Sequence, residues 1–61
     1  MITLRRFLRM CHIAQKIRFE KEDDWRMCHC SEAEGFLPQE WLDSFVISFQ
    51  SDWDEFYIDL V

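Results

Sequence analysis

Five side chains in this sequence could ligate a soft metal ion or act as nucleophiles, and they lie in two short segments: Cys11, His12, Cys28, His29 and Cys30. Structural zinc sites usually take paired ligands from a tight turn, with two or more residues between the members of a pair. Here three candidates are consecutive, and on a strand His29 would project to the face opposite Cys28 and Cys30. The spacing therefore predicts no metal site, and nothing else in the chain indicates a cofactor.

The cysteines are expected to be free thiols. There are three of them, an odd number, and Cys28 and Cys30 stand too close together for an ordinary bridge on a strand. We expect Cys11 to be buried as a small apolar residue, and Cys28 and Cys30 to lie on the outer face of a sheet. Free thiols favour a reducing compartment, which predicts a cytoplasmic protein.

Catalysis is not expected from the remaining polar residues. No third group is placed to orient a Cys and His pair, and a chain of 61 residues leaves little room for a ligand-sized pocket. Asp52 and Asp54 fall in a connection between strands, where water would keep their carboxyl groups unsuited to acid or base catalysis. Gly35 is the only glycine, so a glycine-rich phosphate loop is excluded. We therefore predict a protein that is not an enzyme.

Charge is divided unevenly along the chain, although the net charge is −5. The first 18 residues contain only basic charges, at Arg5, Arg6, Arg9, Lys16 and Arg18. From residue 27 onward there are only acids, at Glu32, Glu34, Glu40, Asp43, Asp52, Asp54, Glu55 and Asp59. This acidic half of the chain is either a solvated face that keeps the protein soluble or a surface that attracts a basic partner.

The predicted partner-binding residues are acids around one tryptophan: Asp52, Trp53, Asp54 and Glu55, together with Glu32 and Glu34. A tryptophan among acids at an exposed turn has no evident structural duty, and aromatic residues are common anchors of interfaces. The alternative is that Trp53 folds back as a lid over the sheet edge. A second alternative places the binding face on Arg5, Arg6 and Arg9, which would contact DNA against an acidic background.

The apolar pattern predicts elements that position these residues. Thr3 is a plausible N-cap, and the residues after it recur with helical spacing to about residue 13. Alternating patterns predict strands at 15–21 and 25–30, then at 45–50 and 56–61, with a loop at 31–35 and a short helix starting at Pro38. The expected fold is a single α+β domain over residues 1–61, in the order α-β-β-α-β-β, with a four-stranded antiparallel sheet packed against the N-terminal helix.

The chain is similar over nearly its whole length, including the closing hairpin, to short proteins carried by bacteriophages and other mobile elements of Gram-positive bacteria. The resemblance rests on two segments and covers Thr3, Leu4, Arg5, Phe7 and Leu8, then Leu37, Pro38, Glu40, Leu42 and Asp43. The run Cys28-His29-Cys30 and the three tryptophans depart from that pattern. Proteins of this type include inhibitors of host defence, anti-CRISPR proteins among them, many of them small, acidic and non-enzymatic. The matched positions are structural and imply no functional residue.

These observations predict a non-enzymatic interaction protein of a phage or mobile element. It would block a host nucleic-acid-handling protein, such as a CRISPR-Cas effector, through its acidic surface. The rival class is a DNA-binding or transcriptional accessory protein that uses the arginine-rich helix. A third is a structural module that forms a homodimer through a final strand with an open edge. No segment approaches the roughly 20 apolar residues of a membrane span, and no signal peptide is expected.

Overall fold

A computed structural model describes every residue from Met1 to Val61. Its elements, in chain order, are α1 (Leu4–Met10), β1 (Lys16–Lys21), β2 (Asp24–His29), α2 (Cys30–Phe36), α3 (Gln39–Leu42), β3 (Val46–Asp52) and β4 (Glu55–Leu60). The α+β class and both predicted hairpins are confirmed. None of the three helices has the length and apolar character that a membrane span requires.

The four strands form one mixed sheet in the order β2-β1-β4-β3, so the prediction of a fully antiparallel sheet is wrong. Each hairpin is antiparallel, but β1 and β4 run parallel in the centre, with Ile17 opposite Phe56 and Lys21 opposite Leu60. The parallel pairing arises from the connection between the hairpins. Helices α2 and α3 carry the chain from the end of β2 to the opposite end of the strands, where β3 begins. The last strand is therefore central, and the open edges belong to β2 and β3.

Helix α1 begins as the sequence predicts. The Thr3 hydroxyl accepts a hydrogen bond from the backbone N–H of Arg6 at 3.3 Å, which is the bond of an N-cap. Leu4 and Leu8 are buried on one face, in agreement with the helical spacing. The helix ends at Met10, three residues earlier than expected, because Cys11 is extended (φ −96°, ψ 127°).

Residues 31–35 are helical, so the prediction of a loop there is wrong. Helix α2 starts directly after β2, and the Glu32 carboxylate accepts a hydrogen bond from the backbone N–H of His29 at 3.1 Å. Ala33 and Leu37, four residues apart, bury one face against the core. The predicted short helix is present as α3 with Pro38 as its N-cap, and it places Trp41 and Leu42 in the core.

All three helices cover the same face of the sheet. The largest fully buried side chains lie between the two layers: Leu4, Ile17, Phe19, Leu42 and Ile58. They belong to a single cluster of 11 buried residues, to which the three helices and strands β1, β2 and β4 contribute, while Val46 of β3 packs against it. The alternate residues of β1 and β4, among them Arg18, Glu20, Tyr57 and Asp59, point away from this cluster. We call the uncovered side of the sheet the open face.

Candidate partner-binding site

Four of the predicted site residues meet at the tip of the second hairpin. Asp52 pairs with Glu55 at the end of the ladder, and Trp53 and Asp54 form the two-residue connection between them. All four are exposed, and the relative exposure of Trp53 is 102 %. We call residues 52–55 the acidic turn. The alternative in which Trp53 covers the sheet edge does not occur.

The backbone of Trp53 is unusual for so large a residue. Its φ is 45°, in the left-handed region, and two-residue hairpin connections prefer glycine at a first central residue with positive φ. The equivalent residue of the first hairpin, Glu22, has a φ of 56°. Neither core packing nor turn geometry therefore accounts for a tryptophan at position 53. Unfavourable backbone geometry of this kind is frequently retained where function requires the side chain.

The carboxylates of the acidic turn have no cationic partners. None of the ion pairs in the fold involves Asp52, Asp54 or Glu55. The Tyr57 hydroxyl donates to the Glu55 carboxylate, and this bond raises the pKa of Tyr57, with smaller contributions from burial and the nearby acids. The negative charges of the acidic turn therefore face solvent without a neutralising cation.

The acidic turn continues onto the open face of the sheet. Glu20, Tyr57 and Asp59 are brought together by the parallel register of β1 and β4, which pairs Glu20 with Asp59. With Gln50, Ser51 and Asp52 they line a shallow depression. Arg18, on the same face, is engaged locally: its guanidinium lies 4.4 Å from the Trp25 ring centre, and its Nε lies 3.2 Å from Glu20 Oε2. Sequence analysis missed this extension, although strand alternation placed these residues on a wet face.

Glu32 and Glu34 do not join the acidic turn. Both lie on α2, which packs against α1 and β2, whereas the turn ends β3 on the other edge of the sheet. Three strand spacings, about 14 Å, separate the two edges. The backbone N–H of His29 lowers the pKa of Glu32, followed by the His29 side chain, and Glu34 pairs with Arg9 at 3.6 Å. These two acids stabilise the helix layer.

The arginines of α1 are largely used within the fold. Arg5 forms an ion pair with Asp43 and donates to the Gln39 side-chain oxygen at 2.7 Å. Arg9 pairs with Glu34, which leaves Arg6 as the helix arginine without an ion-pair partner. Acids of α2 and of the segment after α3 therefore neutralise much of the basic helix.

The cysteines are arranged differently from the prediction. Cys28 is buried opposite Ile17 and faces the core, so its expected place on the outer face is wrong. Burial, with smaller contributions from Glu32 and Cys30, raises the pKa of the Cys28 thiol to about 11. Cys30 is the first residue of α2 and does not lie on a strand. His29 lies on the opposite face from Cys28, and no group of three or more His, Cys, Asp or Glu side chains could hold a metal ion.

Comparisons with protein-family models, curated proteins and solved structures find no match to this chain. Function must therefore be inferred from the residues and their arrangement. The most distinctive arrangement is the acidic turn, where an exposed aromatic ring is surrounded by unpaired carboxylates. It offers an exposed aromatic contact surface and a negative field at one point.

Proposed function

We propose that this chain is a non-enzymatic interaction protein that binds a basic, nucleic-acid-binding partner protein through the acidic turn. The observation that supports it most is Trp53, which is fully exposed and adopts a backbone conformation unfavourable for its size. Tryptophan is enriched among the residues that dominate binding energy at interfaces. Here it is presented at the tip of a hairpin, where a pocket on a partner can enclose it.

The charge around Trp53 specifies the chemistry of the partner. Asp52, Asp54 and Glu55 have no internal cation to neutralise them, and the net charge of −5 adds a negative field around the whole chain. A surface that normally binds phosphates presents Lys and Arg groups, which carboxylates can also engage. Complementary charge of this kind accelerates association and excludes acidic partners. The acidic turn would therefore bind to the surface of the partner that normally binds nucleic acid.

The resemblance to short phage proteins extends the proposal to a biological role. Proteins of that type include inhibitors of host defence, so a CRISPR-Cas effector in the host cytoplasm is the proposed target. Such effectors hold guide and target strands in positively charged channels, to which an acidic inhibitor is complementary.

The alternative function, direct binding to DNA by the arginine-rich helix, has less support. Arg5 and Arg9 are already paired with acids, and only Arg6 remains available on that helix. Each phosphate contact contributes to affinity through release of a counterion, so a single free arginine provides little. An acidic background also opposes the approach of phosphates.

The proposal is tested by displacement of a labelled DNA duplex from a purified RNA-guided effector, followed by fluorescence anisotropy. The wild-type chain should lower the anisotropy. Trp53→Ala should require at least tenfold more protein, because loss of an aromatic anchor typically costs about 2 kcal/mol or more of binding. Glu22→Ala is the matched control, since Glu22 lies in the other hairpin turn with a similar backbone conformation. It should behave like wild type.

Three results would contradict the proposal at different levels. If the wild-type chain displaces no DNA from any effector, the proposed target is wrong. If Trp53→Ala displaces DNA as well as wild type, the binding site lies elsewhere. If the wild-type chain binds the labelled duplex without an effector, and Arg6→Ala abolishes that binding, the protein is the DNA-binding accessory of the alternative.

A further inference from the structure

Two of the three cysteines lie side by side where the first two helices meet. Cys11 follows the last residue of α1, and Cys30 is the first residue of α2. The Cys30 sulfur lies 3.5 Å from the backbone oxygen of Cys11 and 3.4 Å from that of Ile13. The thiol of Cys30 is thus held in the segment that contains Cys11, and both residues are partly exposed.

The pKa of the Cys11 thiol depends on the groups around it. Burial raises the pKa of the Cys11 thiol, a hydrogen bond with the backbone of Ile13 opposes this, and a side-chain hydrogen bond with Cys30 raises it again. Cys30 is therefore one of the groups that act on the Cys11 thiol. Cys28 is different, because it is buried at 6 % exposure on the core side of β2. The chain therefore contains one partly exposed pair, Cys11 and Cys30, and one buried thiol, Cys28.

We propose that Cys11 and Cys30 form a dithiol that glutathione disulfide, or another small disulfide, converts into an intramolecular disulfide between α1 and α2. The thiolate of one cysteine attacks a sulfur of glutathione disulfide, which forms a mixed disulfide and releases one glutathione thiolate. The thiolate of the second cysteine then attacks the protein sulfur of the mixed disulfide, and the second glutathione leaves. Two electrons pass to glutathione disulfide, and the two protein protons are taken up by the two glutathione molecules formed.

The fold is well suited to this bond. Helices α1 and α2 are already in contact, so the two cysteines need no large displacement to reach bonding distance. The bond would close a loop that contains all of β1 and β2, and constraint of such a loop in the unfolded chain increases stability. The first hairpin would then lie within one covalent ring that joins the end of α1 to the start of α2. In a reducing cytoplasm the pair would stay reduced, and the bond would form when glutathione becomes oxidised.

The test uses the full chain, reduced and then incubated with glutathione disulfide, followed by unfolding and alkylation with iodoacetamide. The expected product has lost two hydrogen atoms and carries one alkyl group, and fragment masses should place that group on Cys28. Oxidation should raise the melting temperature by roughly 5–15 °C. Cys28→Ala should oxidise in the same way, whereas Cys11→Ser and Cys30→Ser should give only a glutathione adduct.

Mapping the bond in the wild-type chain keeps the test decisive even if a variant fails to fold. A disulfide that includes Cys28 would overturn the proposal. So would a wild-type chain that gives only glutathione adducts or linked dimers, or one that stays reduced under conditions in which the unfolded chain is oxidised.

Discussion

Replacing Trp53 by glycine should make the protein more stable, although the change removes the largest side chain of the acidic turn. The Trp53 ring is fully exposed, so its removal sacrifices no buried surface. Its backbone lies in the left-handed region with a φ of 45°, where a side chain is unfavourable and glycine is not. The substitution therefore relieves strain without creating a cavity.

The expected gain follows from two opposing contributions. A left-handed conformation costs a non-glycine residue about 1–2 kcal/mol. Glycine loses more conformational freedom on folding, which reduces the gain in stability by about 0.5–1 kcal/mol. The net increase in the free energy of unfolding is about 0.5–1 kcal/mol, or roughly 2–8 °C in melting temperature for a domain of this size. Trp53→Ala keeps the strain and loses no packing, so its stability should stay within about 0.5 kcal/mol of wild type.

Thermal unfolding followed by circular dichroism measures this effect, and Glu22→Gly supplies the control. Glu22 has the same kind of backbone conformation in the first hairpin, so both glycine variants should be stabilised. Only Trp53→Gly should lose partner binding in the effector displacement assay. A lower melting temperature for Trp53→Gly would show that the ring packs against the protein in solution. The assignment of Trp53 to a binding surface would then be refuted.

Three further changes test the core, the cap of α2 and the free edge of the sheet. Phe19→Ala should cost about 3–5 kcal/mol in urea unfolding, because the ring is fully buried on a central strand; a cost below about 1 kcal/mol would contradict that packing. Glu32→Ala should destabilise the protein near neutral pH. Because folding lowers the pKa of Glu32, its stabilisation is present above the ordinary value of 4.5 and is lost on acidification. The difference from wild type should vanish well below that pH, whereas Glu34→Ala, which removes the same charge but no cap, should destabilise the protein less near neutral pH. Ile47→Lys should weaken self-association at high concentration in sedimentation experiments, since Ile47 is 61 % exposed on the edge strand β3, while Phe36→Lys on α2 should not. A wild-type chain that remains strictly monomeric would refute pairing through that edge.

Features encoded within a few residues could be predicted from the sequence. The hydroxyl of Thr3 caps α1 because the cap and the amide it binds are three residues apart. Both hairpins followed from strand alternation interrupted by polar turns. Helix α2 was missed because Ala33 is its one buried residue, followed by Leu37 at the C-cap, which is too short a pattern to distinguish from a loop.

Features that depend on the whole fold could not be predicted. The alternation in β2 shows which residues share a face but not which face meets the core, and Cys28 was assigned to the wrong one. The parallel pairing of β1 with β4 depends on where the helices deliver the chain, which no local pattern contains. The acidic turn was predictable as a polar connection around Trp53. Its continuation to Glu20 and Asp59 was not, because these residues meet only through the parallel register.

The central position of β4 has a consequence for how the protein is made. When synthesis has passed residue 52, the first hairpin, the helices and β3 are all present, yet the inner edges of β1 and β3 have no partner between them. Only residues 55–60 fill that gap, and they contribute Ile58 and Leu60 to the core. Pairing between segments so distant in sequence is slow compared with hairpin closure. The two halves of the sheet therefore join only when β4 pairs with β1, and loss of a few residues from β4 would divide the sheet at its middle.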